Sequence, residues 1–308
     1  MTSSPAGRTP LGWISQQPYL LLSLTSLFWA GNSIVGRTAA GHFPPVTLSF
    51  TRWLCAFLLL LPFAWRDLRA DWPAIRAKLG IMVAMSLCGI AAFNTLLYTA
   101  LEHTTALNAL LLQSATPLFV AIWSLIVLRV RLTLAQALGI SVSLTGVLVI
   151  VMHGDLVRLA NIEFNIGDLL LLLGLAIFGL YSALVPKRPV IRQTSFLAFI
   201  FGCGVLCLLP FQVWEFLVRP TAEVSTSNFL SLAYVVVFPS ILAYLCYNRG
   251  VQLVGPNRSA PFFHLVPVFG SAMAIVFLGE QLQLFHVAGY ALVLAGIFAA
   301  ARKPKKAP

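Results

Sequence analysis

The stretch PVFGSAMAIVFLGEQLQLFHVAGYALVLAG, residues 267–296, lies over PLFVAIWSLIVLRVRLTLAQALGISVSLTG, residues 117–146, at a constant offset of 150. Pro117 falls on Pro267, Phe119 on Phe269, Leu128 on Leu278 and Leu132 on Leu282. Leu134 falls on Leu284, Gly139 on Gly289, Leu144 on Leu294 and Gly146 on Gly296. Leucine coincidences are cheap in an apolar chain; prolines, glycines and phenylalanines at one offset are not. The shift extends outward. FWAGNSIVGR, 28–37, lies over FGLYSALVPK, 178–187, and two LPF triplets, 61–63 and 209–211, match two residues out of phase. The chain is an internal duplication.

Composition says what is duplicated. Of 308 residues, 59% are hydrophobic and 9% charged, and the mean hydropathy is +0.90. A soluble domain carries about 25% charged residues, so that class is excluded. A spanning helix needs about 20 apolar residues. On that rule ten spans are expected: 19–40, 44–65, 77–100, 105–128, 133–152, 166–186, 193–217, 228–253, 257–279 and 283–301. The expected organisation is a cytoplasmic segment 1–18, a first five-helix repeat 19–152, a second 166–301 and a basic tail 302–308. The fold class is thus all-α and polytopic. Five spans per repeat is an odd number, so the second repeat inserts upside down, a 5+5 inverted arrangement typical of transporters with a midplane site.

Orientation follows from lysine and arginine. With the N-terminus inside, 16 of the 20 basic residues fall in the termini and even-numbered connections, from Arg8, Arg66 and Arg69 to Lys305 and Lys306. Arg37, Arg158 and Arg219 fall near the outer face, and Arg52 lies within the second span. Both termini are expected in the cytoplasm. The net charge of +11 then needs no nucleic-acid partner; the tail RKPKKAP suits anionic headgroups. The first span is long for a signal-peptide core and lacks a small-residue cleavage site after it, so it is read as retained. Cys55, Cys88, Cys203, Cys207 and Cys246 all fall in spans and read as small hydrophobes. Cys203 and Cys207 share a face, but no histidine or acid completes a metal site.

Several motifs together resemble the drug/metabolite transporter superfamily in its ten-helix EamA-type branch, over nearly the whole chain. They are FWAGNSIVGR, the arginine of LSFTRWLCAF, SATPLF in the fourth span, and the Pro…LGE…Gly…Gly order of 267–298. The first repeat departs from that order, with Arg129 and Val130 where the second has Gly279 and Glu280. Within the branch the chain is most similar to bacterial aromatic amino-acid exporters. The resemblance implies a bacterial inner-membrane protein, no cofactor, and a central cavity ringed by spans one, three, four, six, eight and nine.

Polar side chains inside spans are costly and mark function by default. Asn94 and Tyr98 share a face of the third span, and the offset carries them to Tyr244 and Asn248. Ser114 and Pro117 share a face whose mates are His264 and Pro267, with Ser271 one turn on. The resemblance places these faces on the cavity; interhelical hydrogen bonds of about 1 kcal/mol are the simpler reason for them. His264 is read as a proton carrier, a neutral donor to a carbonyl freed by Pro267, or a substrate contact. Pro117 and Pro267 are expected to kink their helices as gates, and Gly89 and Pro239 are a further breaker pair. Asn32 and Ser33, with Ser182 as mate of the former, either touch substrate or let helices approach. Trp29 and Trp123 either wall the cavity or face lipid. Arg52, about 12 Å into its span by helix rise, either clamps a carboxylate or, the better reading, snorkels or bonds backbone carbonyls. Glu280 is expected to cap the last span.

No acid falls in the middle third of any expected span, so a carboxylate proton relay has no candidate. Uncoupled alternating-access export of a small amphipathic metabolite, an aromatic or other neutral amino acid, is the expected function. Proton-coupled efflux of drugs or other metabolites is the alternative, and a receptor, scaffold or intramembrane enzyme the alternative of another class. His42, His103, His153 and His286 have no catalytic spacing to a nucleophile or acid, which argues against the enzyme. A monomer suffices to enclose a path across the bilayer, and packing allows a homodimer.

Overall fold

The computed structural model describes residues 10–39, 43–104, 109, 112–152, 165–219, 225–278 and 283–301, and among them every regular element is helical. In chain order these are α1 (Pro10–Ile14), α2 (Pro18–Ala39), α3 (Pro45–Ala77), α4 (Leu79–Ser86), α5 (Phe93–His103), α6 (Thr116–Leu128) and α7 (Leu134–Val151). The second half brings α8 (Ile166–Leu184), α9 (Gln193–Val218), α10 (Thr226–Val236), α11 (Ala243–Val254), α12 (Pro256–Ser259), α13 (Leu265–Leu278) and α14 (Leu284–Ala301). A π-helical turn, Leu87–Ala92, joins α4 to α5, and another, Val237–Leu242, joins α10 to α11. The two turns are 150 residues apart, so the repeat extends to a backbone irregularity.

Among the described residues, six helical stretches are long and apolar enough to cross a membrane: Pro18–Gly36, Pro45–Ala77, Leu79–His103, Ile166–Lys187, Gln193–Val218 and Asn228–Val254. Thr116–Leu128, Leu134–Val149 and Val287–Ala300 are shorter apolar helices. The outside of the bundle is apolar, with Phe63, Leu206, Leu217 and Phe229 each more than two-thirds exposed. Asn32, Arg52, Asn94, Asn248 and His264 are buried inside. That inversion of the soluble pattern is what a lipid solvent selects.

Packing is reciprocal under the offset. Helix α5 lies on α8 as α11 lies on α2, and α6 lies on α8 as α13 lies on α2. Helices α3 and α9 pack on each other, as do α7 and α14. At the α7–α14 crossing, a Cβ on Gly139 would lie 2.5 Å from the Gly296 carbonyl, and one on Gly146 2.7 Å from the Gly289 carbonyl. Gly139 and Gly289 are repeat mates, and so are Gly146 and Gly296. The pair of contacts is what a pseudo-two-fold relation requires.

Two expectations need correction. Residues 66–76, read as a connection, continue α3 to Ala77 despite Pro62 and Pro73. The charged stretch stays helical because it docks: Asp67 and Asp71, one turn apart, take Thr194 Oγ1 at 2.6 Å, Ser195 Oγ at 2.6 Å, the Arg192 N–H at 3.0 Å and the Arg192 guanidinium. Pro117 and Pro267 lie in the first turns of α6 and α13, where a missing N–H costs nothing. Pro117 follows the turn at residues 114–115, and Pro267 follows the 3₁₀ stretch Ala260–His264 within a helical run over residues 256–278. Among the described residues the two fully buried acids are caps. Glu215 of α9 accepts the Val46 and Thr47 N–H groups at 3.2 and 2.6 Å at the start of α3, and Asp168 forms a capping box with Asn165. Glu280 lies outside the described residues.

Leucine at Gly139 should force α7 from α14 and destabilise the protein by about 1–3 kcal/mol. By the two-fold relation, leucine at Gly146 should cost a similar amount. Thermal unfolding in detergent measures both, and a wild-type melting temperature for either variant would contradict the crossing.

Candidate functional site

The site is built from the two helix breaks outward. A π-helical turn shifts the hydrogen-bond register and leaves carbonyls to be satisfied by side chains. The Gly89 carbonyl accepts Asn94 Nδ2 at 3.3 Å and, by a short hydrogen bond, the Tyr244 hydroxyl from the second repeat. Its mate, the Pro239 carbonyl, accepts Trp29 Nε1 from the first repeat at 3.2 Å. Ser240 Oγ donates to the Val235 carbonyl at 2.6 Å. Each repeat therefore closes the other's break.

Between the breaks sits Arg52, with no solvent exposure. Its Nη1 donates to Asn32 Oδ1 at 3.1 Å, Asn94 Oδ1 at 3.0 Å and the Tyr98 hydroxyl oxygen at 2.6 Å, and its Nε to Ser240 Oγ at 2.5 Å. Tyr98 in turn donates to Asn32 Oδ1 at 2.9 Å. The guanidinium lies 4.5 Å over the Trp53 ring. No acid touches it among the described residues, and Nη2 has no acceptor. The expectation that Arg52 snorkels or bonds backbone carbonyls is therefore wrong: four side chains hold it, three from the first repeat and one from the second.

Asn32 and Asn94 form the polar side of a central pocket completed by Trp29, Phe93, Leu97, Gln113, Thr116, Leu175, Phe178, Phe263 and Val266. Trp29 stacks on Phe263 at 5.4 Å and meets Phe178 edge-on at 5.4 Å. These rings close the pocket to about 20 Å³, room for about one water. Gln113 Nε2 is buried without an acceptor.

The remaining residues singled out from sequence fall around this pocket. Tyr98 is one layer behind it, through Asn32 and Arg52. Tyr244 packs on Trp29 and Trp53. Asn248 accepts the Tyr181 hydroxyl at 2.7 Å and donates to the Tyr244 carbonyl at 2.7 Å. Ser182 bonds the Phe178 carbonyl at 2.9 Å and the Tyr247 hydroxyl at 2.6 Å. Trp123 is away from the pocket, donating to the Ala176 carbonyl at 2.9 Å. His264 is fully buried, with Nε2 2.9 Å from the Ser114 carbonyl and Nδ1 2.6 Å from Ser143 Oγ. A carbonyl only accepts, so Nε2 carries the proton towards Ser114. That carbonyl belongs to its own repeat mate, which puts the histidine near the pseudo-two-fold axis. The side chains of Ser33 and Ser271 lie outside the described set. Sequence reasoning missed the convergence on Arg52, and with it Ser240, Gln113 and the rings of Phe93, Phe178 and Phe263.

Comparison with known proteins agrees with this architecture. The model of the EamA-like transporter family matches residues 16–152 and again 165–302. The uncharacterized transporter YyaM of Bacillus subtilis is 25% identical over 287 residues, 92% of each chain. A probable amino-acid metabolite efflux pump of Salmonella typhimurium is 26% identical over 300 residues, 92% of this chain and 95% of its own. A probable terminal-alkyne amino-acid exporter of Streptantibioticus cattleyicolor is 25% identical over 90% of each. A solved structure superposes with a TM-score of 0.69 at 17% identity, covering 92% of this chain and 96% of the other.

Hydrogen bonds to a charged group contribute about 1.5–3 kcal/mol. Asn94→Leu, which keeps the volume and loses the amide, should therefore destabilise the protein by about 2–3 kcal/mol. A double-mutant cycle over Asn32 and Tyr98 should give a coupling of about 0.5–3 kcal/mol. Additive losses would show that the two do not share one network.

Proposed function

The chain belongs to the EamA-like transporter family, and from that premise we propose that it exports small amphipathic metabolites carrying a carboxylate, aromatic or other neutral amino acids first among them. The observation that carries this reading is the fully buried, acid-free guanidinium of Arg52 behind an aromatic pocket. Arginine offers a planar fork matched to a carboxylate, and Nη2 is the donor still open. Trp29, Phe178 and Phe263 offer faces for an apolar side chain, and Asn32, Asn94 and Gln113 offer amide groups for an ammonium or a second oxygen. The names of the Salmonella and Streptantibioticus relatives point to the same class.

The pathway is alternating access. Ten spans in two inverted sets of five, 19–152 and 166–301, rock about the midplane with both termini in the cytoplasm of a bacterial cell, and a single chain suffices. Trp29, Asn32, Ser33, Asn94, Tyr98, Ser114, Trp123, Ser182, Tyr244, Asn248, His264 and Ser271 line or back the route. Gly89, Pro117, Pro239 and Pro267 place the breaks about which helices move. The pocket, closed to about 20 Å³, must widen to admit a substrate. Transport is uncoupled from protons. The two buried acids among the described residues are held as helix caps, and His264 is engaged on both nitrogens.

Counterflow of labelled phenylalanine into proteoliposomes loaded with unlabelled phenylalanine tests this. Uptake should saturate, ignore a pH gradient, resist competition by phenethylamine, which lacks the carboxylate, and fall by about tenfold or more in Arg52→Gln, the loss of a charge-assisted bond. Acceleration by the gradient would overturn the uncoupled mechanism. Equal competition by phenethylamine would overturn the role of Arg52.

A further inference from the structure

A second cavity is larger than the central pocket. It encloses about 860 Å³, within the range of small-molecule sites. It lies where α1 and the start of α2 meet the 185–193 segment and the second half of α11. All these segments fall in the cytoplasmic layer expected from the distribution of lysine and arginine.

Its walls have two chemistries. Leu245, Ile191 and Val251 make an apolar bed, and the polar contribution centres on Arg188, Arg249 and Gln193. No aspartate or glutamate is among the described residues that line it. Arg188 is 5% exposed. Its Nη2 donates to Gln193 Oε1 at 2.7 Å and its plane lies 4.2 Å over the Phe196 ring, yet Nε and Nη1 have no acceptor. Burial pushes the guanidinium down to about 10, an effect that Tyr181 opposes and Arg249 reinforces, so it remains charged at neutral pH. Arg249 lines the same cavity and donates Nε to the Ser15 carbonyl at 3.0 Å. The acids on this side, Asp67 and Asp71, are committed to Arg192, Thr194 and Ser195.

Leaving two charged donors buried and unpaired is costly. A cavity lined by Arg188 and Arg249 beside an apolar bed is complementary to one kind of molecule. We propose that this cavity is a second binding site, distinct from the central pocket, for an amphipathic anion whose carboxylate or phosphate head meets Arg188 and Arg249 while its apolar body lies along Leu245, Ile191 and Val251. The anion is either a free metabolite or a lipid headgroup with its chain; the chemistry is shared. The site stands whether or not the central pocket carries amino acids.

Cys246 lines the cavity and reports occupancy in the unmutated chain. Full-length protein in a neutral detergent is treated with N-ethylmaleimide, and modification of Cys246 is read by peptide mass spectrometry. The probes are laurate and dilauroylphosphatidylglycerol, and their neutral counterparts are dodecanol and dilauroylphosphatidylcholine. At least one anion should protect Cys246 at about tenfold lower concentration than its neutral counterpart, the scale of one charge-assisted contact. Arg188→Gln, or Arg249→Gln should the first variant fail to fold, should abolish that advantage. Protection by laurate alone identifies a free anion, and protection by the glycerophospholipid alone a lipid; either supports the site. Equal protection by the neutral compounds, no protection by any probe, or an advantage unchanged in the folded variant overturns it.

Discussion

In hydrocarbon a backbone carbonyl without a partner has no water to turn to, so every irregularity in a spanning helix must be repaired by a side chain. Here that constraint organises the centre of the molecule. The π-helical turns at Leu87–Ala92 and Val237–Leu242 expose carbonyls that Asn94, Tyr244 and Trp29 take up. Two of those three donors come from the opposite repeat. Gly89 is required at its break for space as well, because a Cβ there would lie 2.5 Å from the Tyr181 ring. The residues that look like defects in α4–α5 and α10–α11 are thus the points where the halves are joined.

Arg52 depends on the same scaffold. Removing an ion from water still costs several kcal/mol after relaxation, and arginine does not escape by deprotonating. The two Nη1 protons, shared among three acceptors, and the Nε proton on Ser240 make about three hydrogen bonds of about 1.5–3 kcal/mol each, the size needed to offset that. Their acceptors are in place because the breaks hold them: Asn94 is anchored to Gly89, and Ser240 to Val235. A carboxylate would be the cheaper partner, yet among the described residues both fully buried acids are spent on helix ends. What remains is a cation solvated by neutral dipoles, able to accept an anion without first breaking an ion pair.

Much of this was legible in the sequence, and the divide has a physical cause. The offset of 150 located the pairs Asn94 with Tyr244, Tyr98 with Asn248 and Gly89 with Pro239, because a duplication preserves position before it preserves chemistry. It also held a signal that went unused: Phe178 is the mate of Phe28, in a stretch already aligned. Arg52 was judged by depth alone, and depth says nothing of which three other segments converge on it. The helical continuation through 66–77 depends on docking to Arg192 and Thr194, more than a hundred residues away. Pro117 was read as a kink because a proline in an apolar run gives no sign of whether the preceding turn is helical. Tertiary contacts decide each of these, and no local pattern carries them.

The repeat also makes its own exceptions informative. By the LPF alignment of the second and seventh spans, Arg52 corresponds to Ile200, which is buried and carries no charge. Duplication supplied two equivalent frames, and only one holds a cation. A site on the axis of a fully symmetric pair would favour a ligand with two like ends. One guanidinium behind an aromatic and amide lining breaks that equivalence and sets a polar side and an apolar side. The same broken symmetry recurs where His264 donates to the carbonyl of Ser114, its own mate, because the two mates carry different side chains, an imidazole and a hydroxyl. On the alternating-access reading proposed above, a frame with two-fold packing and one-fold chemistry opens to either side while holding an unsymmetrical molecule in one orientation.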